Sequence, residues 1–182
     1  MFAGAGLISW NTVFSFPREH WLERHLLLTT LPTLTKEWRV SFELKPLSYD
    51  YNSYANVLHM TTSWDNKDIV GYQTPALWIH GSRGVYIGTA LNGKADDGKL
   101  FRTKKPPIDE WTRVEISQVK HGSKYMFSLL MNGEILWFVE NTIPMQFSNV
   151  HVYASEIIRE LEIENMIPGE SKQTHTAKVG KM

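Results

Sequence analysis

A short polar loop offers the first candidate ligands for a metal ion. In the stretch SWDNKD, residues 63–68, Asp65, Asn66 and Asp68 place carboxylate and amide oxygens on one loop beside Trp64. Hard cations such as Ca²⁺ prefer oxygen ligands of this kind. The same residue types favour turns for backbone reasons alone, and a full calcium site takes about six or more oxygens. The sequence therefore leaves two interpretations open, a calcium site and a solvent-exposed turn.

Aromatic residues form the second group with a chemical use. Flat indole and phenol rings beside polar groups suit sugars, whose faces carry apolar C–H patches edged by hydroxyls. The sequence supplies seven tryptophans and a tyrosine-rich loop, LSYDYNSY, at residues 47–54. We predict a ligand-binding set that comprises Tyr51, Trp64, Trp78, His80 and Arg83.

Large aromatic residues also have a structural use, because most tryptophans of a small domain help to build its core. Trp38 and Trp111 each follow a glutamate and open a run of alternating apolar residues. We predict that both are core residues. His59, within VLHMT, is expected to be a hydrogen-bonded sheet residue rather than a ligand.

The composition excludes several classes of function. The chain has 182 residues, enough for one well-packed domain. Its 19 basic and 19 acidic residues cancel, so the charge does not indicate binding to nucleic acid or to an anionic membrane. With no cysteine, the chain has no disulfide framework and no thiol nucleophile. The first 16 residues lack a basic region and a long apolar run, so we expect neither a signal peptide nor a membrane span.

Apolar runs alternate with turn clusters at the spacing of an antiparallel β protein. About eleven short strands in a chain of this size predict an all-β fold, a two-sheet antiparallel jelly-roll sandwich. We place the sandwich at residues 25–168, with an N-terminal segment at 1–24 that packs on it and a disordered tail at 169–182. A short helical turn is expected at residues 21–25.

The stretch YMFSLLMNGEILWF, residues 125–138, predicts a β-hairpin with Asn132 and Gly133 in the turn. In a regular register Leu129 lies opposite Leu136, Phe127 opposite Phe138, and Leu130 opposite Ile135. One face of this hairpin then belongs to the core. The other face carries a second apolar set, namely Met126, Leu130, Ile135, Trp137 and Val139.

Something must cover this second face, because soluble monomers rarely expose such a patch. The N-terminal stretch LISWNTVFSF carries an apolar strip of its own, formed by Ile8, Trp10, Phe14 and Phe16. We expect this strip to lie across the patch around Trp137. A partner chain or an apolar ligand would be the alternative cover.

Six stretches of predicted strands and turns follow one another along the chain: EWRVSFELKP, NVLHMTT, PALWIHGSRGVYIGTALNGK, EWTRVEISQV, MNGEILWFVEN and NVHVYAS. This succession resembles the concanavalin A-like lectin/glucanase superfamily, in its laminin-G-like and pentraxin-like forms. The resemblance implies a two-sheet jelly roll and an extracellular module that binds glycans or proteins, often with calcium. One departure is the short stretch between Tyr153 and Arg159, where relatives often carry a longer loop.

The stretch ELEIEN resembles the Glu-x-Asp-x-Glu signature of the glucanases in that superfamily. Because alternate residues of a strand face the same side, Glu160, Glu162 and Glu164 share one strand face. Retaining glycoside hydrolysis uses two carboxylates about 5 Å apart, which such a face could supply. A half-exposed strand with Leu161 and Ile163 facing inward explains the same pattern. We therefore predict a protein that is not an enzyme, and keep a glycoside hydrolase using Glu160 and Glu164 as a minor alternative.

Two function classes remain. The first is a non-catalytic, lectin-like binding module whose ligand is a glycan or a protein and whose one candidate cofactor is Ca²⁺. The second is a structural or self-associating domain that uses the apolar outer face of the hairpin at 125–140. Neither involves nucleic acid or insertion into a membrane. A homo-oligomer is compatible with both, and we rank the binding module first.

Overall fold

The fold is known from a computed structural model, which describes residues 9–16, 20–63 and 66–167. Eleven strands follow one another along the chain: β1 (Ser9–Phe16), β2 (His20–Leu34), β3 (Trp38–Leu44), β4 (Tyr54–Thr61), β5 (Ala76–His80), β6 (Gly84–Gly88), β7 (Lys99–Phe101), β8 (Thr112–His121), β9 (Lys124–Met131), β10 (Glu134–Asn141) and β11 (Phe147–Ile167). The described residues contain no helix, and therefore none that is long and apolar enough to cross a membrane.

The strands form two antiparallel sheets of six strands each, and β11 is long enough to belong to both. Its first part pairs with β2 and β4, which places the order β2-β11-β4-β5-β6-β7 in what we call sheet A. Its second part pairs with β1 and β3, which places the order β1-β11-β3-β8-β9-β10 in sheet B. The predicted all-β sandwich is confirmed.

The predicted helical turn at residues 21–25 is wrong. These residues continue strand β2, in which Trp21 pairs with Ile157 and Leu22 with Glu156 of β11. Pairing with a neighbouring strand outweighs the weak local preference of the segment. The continuous β11 also accounts for the short stretch between Tyr153 and Arg159, because the strand crosses directly from sheet A to sheet B there.

The core lies between the two sheets and follows the alternation of their strands. Along β8 every second residue from Thr112 to Gln118 is buried, and Trp38 of β3 is only 2% exposed, with its ring 6.2 Å from that of Phe127. The prediction for Trp38 is confirmed. Trp111 is different, because it immediately precedes the inward-facing Thr112 and therefore points outward. It is half-buried, with the guanidinium of Arg159 4.0 Å from its ring centre, so its assignment to the core is wrong.

The predicted hairpin forms, and its register contains a bulge. Asn132 and Gly133 have φ of 48° and 78°, as a tight hairpin turn requires, and Ile135 pairs with Leu130. A shift between Ile135 and Trp137 then pairs Trp137 with Leu129 and Val139 with Phe127.

The bulge changes which side chains face outward. The expected pairs Leu129–Leu136 and Phe127–Phe138 are wrong, because one extra residue on β10 flips every later side chain. Trp137 packs against the core instead of lying outside, and Phe138 is 52% exposed in its place.

The N-terminal strand does not cover the hairpin. Strand β1 pairs with β11 at one edge of sheet B, whereas β10 forms the opposite edge. Phe14 and Phe16 pack against the core, and the ring of Trp10 lies 4.5 Å from the guanidinium of Arg39. The expected shielding of Trp137 is therefore wrong. Ile8 and the tail at 169–182 lie outside the described residues.

Deletion of residues 1–16 should destabilise the fold through a different contact from the one expected. Without β1, the second part of β11 loses its outer partner, and Phe14 and Phe16 no longer cover the core. At about 25 cal/mol per Å² of apolar surface, the loss should amount to several kcal/mol. Thermal melting with an apolar dye should show a lower Tm and dye binding. An unchanged Tm with no dye binding would show that β1 contributes nothing to stability.

Candidate functional site

The outward face of sheet A carries aromatic side chains on adjacent strands. In β5, Leu77 and Ile79 face the core, so Trp78 and His80 face outward. Cross-strand pairing places Trp78 beside Tyr86 of β6 and His80 beside Tyr54 of β4. Three consecutive antiparallel strands thus bring their rings to one surface.

These rings contact one another in an unbroken row. The ring of Trp78 lies 5.6 Å from Tyr86 and 5.7 Å from His59, both in tilted arrangements. The row continues from His59 to Tyr72 at 5.3 Å, and from Tyr86 to Tyr54 at 6.1 Å, both edge to face. Each ring limits the rotation of its neighbours, so the surface is held in shape before any ligand arrives.

A groove of about 350 Å³ follows this row. Its lining consists of Tyr54, Lys67, Tyr72, Gln73, Trp78, Tyr86 and Asp96. The phenol of Tyr86 donates to Asp96 Oδ1 at 3.2 Å. The groove therefore combines flat apolar surfaces with a cation and a carboxylate, which provide a hydrogen-bond donor and an acceptor for a polar ligand.

A close backbone approach fixes the position of Gln73. This side chain is only 6% exposed, and its Oε1 has no hydrogen-bond partner among the described residues. A Cβ on Gly88 would lie 1.7 Å from that oxygen, so only glycine at position 88 lets the amide lie against β6. An unpaired buried amide oxygen costs about 1 to 3 kcal/mol, which a donor from a ligand would offset.

His59 is buried beneath the groove. It is 4% exposed, and its Nε2 lies 2.7 Å from the carbonyl oxygen of Tyr72. The prediction of a hydrogen-bonded sheet residue is confirmed. Through this bond and the ring contact, His59 positions Tyr72 on the loop between β4 and β5.

Burial in the groove, with the nearby charge of Asp96, raises the pKa of the Tyr86 phenol from its ordinary value of 10.0 to about 12. The folded state therefore keeps this proton to a higher pH than the unfolded chain does. The resulting stabilisation is fully present below pH 10 and is lost between about pH 10 and 12. Because Tyr86 is only half-buried, we expect an effect on the order of 1 kcal/mol.

Spectrophotometric titration of the phenols should detect this group. The wild-type protein should show one tyrosine that ionises late, and that step should be missing in Tyr86→Phe, whose stability should fall less between pH 10 and 12. Identical titration curves for the two proteins would contradict the assignment.

The structure separates the members of the predicted ligand-binding set. Trp78 lines the groove, whereas His80 is 4% exposed and its Nδ1 accepts from the backbone N–H of Ser82 at 3.2 Å. Tyr51 is 61% exposed on the loop before β4, and Arg83 is exposed on the turn after β5. Neither lines the groove. Trp64 lies outside the described residues.

The predicted metal ligands are described only in part, because Asp65 is also outside the described residues. Asn66 and Asp68 are exposed, and Asn66 Oδ1 accepts from the backbone N–H of Asp68 at 3.0 Å. This bond is typical of a turn closed by an asparagine side chain. Within the described residues, no three His, Cys, Asp or Glu side chains are grouped to hold a metal ion. Calcium at this loop stays a prediction.

The three glutamates of ELEIEN lie on the outward face of sheet B, on the other side of the molecule from the groove. Leu161 and Ile163 are fully buried between them, as the half-exposed strand requires. Glu160 forms an ion pair with Arg113 at 3.8 Å and Glu164 one with Arg39 at 3.5 Å. This arrangement matches the structural interpretation of the motif.

Several groove residues had no signal in the sequence. Lys67, Tyr72 and Gln73 come from the loop between β4 and β5, and Asp96 from the loop between β6 and β7. These loops have no periodicity that would predict where their side chains lie. Only the alternation of β5 and β6 could have placed Trp78 and Tyr86 on one face.

No protein-family model matches the sequence, and no curated protein sequence matches it either. Solved structures do match. A carbohydrate-binding module, CBM40, of a Ruminococcus gnavus sialidase, bound to α2,3-sialyllactose, has a TM-score of 0.55 at 11% identity, covering 84% of this chain and 91% of that chain. Sheep galectin-11, in complex with glycerol, has a TM-score of 0.50 at 14% identity, covering 78% of this chain and 98% of that chain.

These two structures share the two-sheet jelly-roll fold, which is the fold that the resemblance of the sequence to concanavalin A-like lectins and glucanases implied. An endo-1,3-β-glucanase from Streptomyces sioyaensis also matches, at a TM-score of 0.45 and 10% identity over 78% of this chain and 67% of that chain, which is too remote to support any argument. At these identities the likeness establishes the jelly roll, in agreement with the resemblance of the sequence, and function must be argued from the groove itself.

Proposed function

We propose that this chain is a non-catalytic, lectin-like module that binds a glycan in the groove on the outward face of sheet A. The observation that carries the proposal is the row of contacting rings centred on Trp78, with charged and amide groups at its borders. A sugar ring presents an apolar C–H face that an indole can cover, while its hydroxyls need donors and acceptors at the edge. The groove has both.

The polar groups of the groove suit hydroxyl groups in particular. Asp96 accepts hydrogen bonds and Lys67 donates them, whereas Gln73 carries an amide that can do both. Because the rings of Tyr54, Trp78 and Tyr86 are already packed against each other, a ligand would order few side chains on binding. The carbohydrate-binding module and the galectin with TM-scores of 0.55 and 0.50 support a glycan as the ligand.

A hydrolytic function fits the groove less well. Glycoside hydrolysis uses two carboxyl groups that flank the scissile bond. Asp96 is the one carboxylate among the described residues that line the groove, and the pair Glu160 and Glu164 lies on the other sheet. We therefore propose binding without catalysis.

One observation favours self-association as a second candidate function. Strand β10 forms an edge of sheet B, and it exposes Ile135 by 61% and Phe138 by 52%. An edge strand with apolar side chains can pair with a second copy. Light scattering over a range of protein concentrations would test this candidate. The wild-type chain should form a dimer whose affinity is weaker in Phe138→Ser. A wild-type chain that stays monomeric at every concentration would rule the candidate out.

A glycan array tests the main proposal. The full chain should bind a restricted group of glycans, and each should show saturable binding in solution. Repeating the array with EDTA tests the separate proposal of a calcium ion at Asp65, Asn66 and Asp68, because loss of binding would support a metal-dependent site. No binding to any glycan would contradict the main proposal.

A further inference from the structure

A second cavity lies where β11 crosses between the sheets. Strand β11 pairs with β4 only as far as Ala154, and from Ile158 it pairs with β3 instead. The space left between the three strands is a cavity of about 210 Å³. It shares no lining residue with the groove of sheet A, so it is a separate site.

The two sides of this cavity differ in character. Leu44, Val57 and Ile79 give it an apolar wall. The loop between β3 and β4 supplies a polar rim that includes Ser48, Asp50 and Ser53. A molecule that fits both sides has a hydrocarbon part and a polar end.

The polar rim is fixed by contacts on its far side. The backbone oxygen of Asp50 accepts from the N–H of Gly81 at 3.0 Å, and the Tyr49 hydroxyl donates to the Pro106 carbonyl oxygen. The ammonium of Lys105 donates to Gly81 O at 2.7 Å and lies 5.2 Å from the ring centre of Tyr49. The loop is thus held in position, and this lysine is already engaged outside the cavity.

Asn56 lines the cavity with an unpaired acceptor. The residue is only 9% exposed, and its Nδ2 donates to Leu58 O at 3.4 Å, whereas Oδ1 has no hydrogen-bond partner among the described residues. Because the side chain lines the cavity, Oδ1 is an acceptor for a donor placed there. That donor would remove the cost of an unpaired buried oxygen.

The charge at the rim selects among donors. Asp50 is the one ionisable carboxyl or amine among the lining residues described. The hydroxyl of Ser53 and the N–H of Asn52, at 2.5 Å and 2.8 Å, stabilise the ionised carboxylate and lower its pKa. The cavity therefore presents a negative charge and a free amide oxygen beside an apolar wall.

We infer that this cavity binds a primary ammonium group carried on a short hydrocarbon chain. The ammonium donates to Asn56 Oδ1 and is paired with Asp50, and the chain packs against Leu44, Val57 and Ile79. An ammonium brings three donors and a positive charge, so it satisfies both acceptors at once. A lysine side chain of a partner and a small free amine share this chemistry.

Three probes of equal length separate the alternatives: n-butylamine, n-butanol and butyrate. Each is titrated into the full chain at neutral pH while the side-chain amide signals are followed by NMR. Butylamine should bind saturably and shift the Asn56 amide, butanol should bind about tenfold more weakly, and butyrate should not bind. Equal binding of butanol, or shifts confined to other residues, would overturn the inference.

Two substitutions test the assigned contacts. Asp50→Asn keeps an acceptor for Ser53 but removes the charge, and it should weaken the binding of butylamine about tenfold. Asn56→Leu should weaken this binding by a similar factor, and circular dichroism checks that the variant is folded. Glu110→Gln removes an exposed carboxylate outside the cavity and should change nothing. Unchanged binding in Asp50→Asn would overturn the inference even if Asn56→Leu fails to fold.

A fourth probe distinguishes the sources of the ammonium. Lysine blocked at both its amino and carboxyl groups should compete with butylamine if the mouth of the cavity admits a side chain from a partner. Binding of butylamine alone would support a small free amine as the natural occupant.

Discussion

Replacement of Trp78 by alanine should weaken glycan binding by about thirtyfold or more. The indole is the centre of the row of rings, and it contacts both Tyr86 and His59. Central aromatic residues of a binding surface commonly contribute about 2 kcal/mol or more, which corresponds to that change in affinity. Titration calorimetry with a glycan identified on the array measures it.

Trp111→Ala is the matched control for this substitution. Trp111 is half-buried like Trp78, and it also lies on the outside of the sandwich, where it stacks on Arg159 rather than lining the groove. Its removal should leave glycan affinity unchanged. If both variants bind as the wild type does, the ligand lies elsewhere on the molecule. If both lose binding equally, the effect is on folding rather than on the groove.

Trp38→Ala should cost more stability than Trp78→Ala or Trp111→Ala. Trp38 is 2% exposed at the start of β3, with its ring against Phe127, and truncation of such a residue costs about 3 to 5 kcal/mol. In Trp111→Ala the main loss is the stacking of Arg159, which should cost about 1 kcal/mol. Urea denaturation of both variants provides the comparison.

The outcome of this comparison tests the side on which each residue lies. Because β8 alternates strictly from Thr112 onward, an equal loss of stability in the two variants would mean that Trp111 faces the core after all. A small effect in Trp38→Ala would contradict the packing of the Trp38 ring against Phe127 in the core.

The fold could be predicted from the sequence because its signals are local. Alternation along β3 and β8 and the Asn132-Gly133 turn depend only on residues next to one another, and each appears in the structure. The bulge in β10 could not be predicted in this way. It brings Trp137 to the core face, with its ring 5.2 Å from that of Phe127, and this is a contact between strands that the local sequence does not encode.

Less of the site than of the fold could be predicted, because most of its residues meet through contacts between segments that are distant in the sequence. Trp78 and Tyr86 share a face through strand alternation alone, and the sequence analysis singled out Trp78 as a ligand-binding residue. Gln73 and Asp96 meet in the groove only because two loops lie side by side above Gly88, and nothing in either loop indicates the other. The pairing of β1 with β11 could not be predicted either, because the apolar residues of β1 could pack on more than one surface.

The most direct test of glycan binding on sheet A follows the tryptophan indole N–H signals by NMR while a glycan from the array is added. The seven tryptophans of the chain give signals that substitution can assign one by one. We predict that the Trp78 signal shifts and saturates with the ligand, whereas the signals of Trp38 and Trp111 stay in place. A saturating shift at Trp111 with Trp78 unmoved would contradict the account.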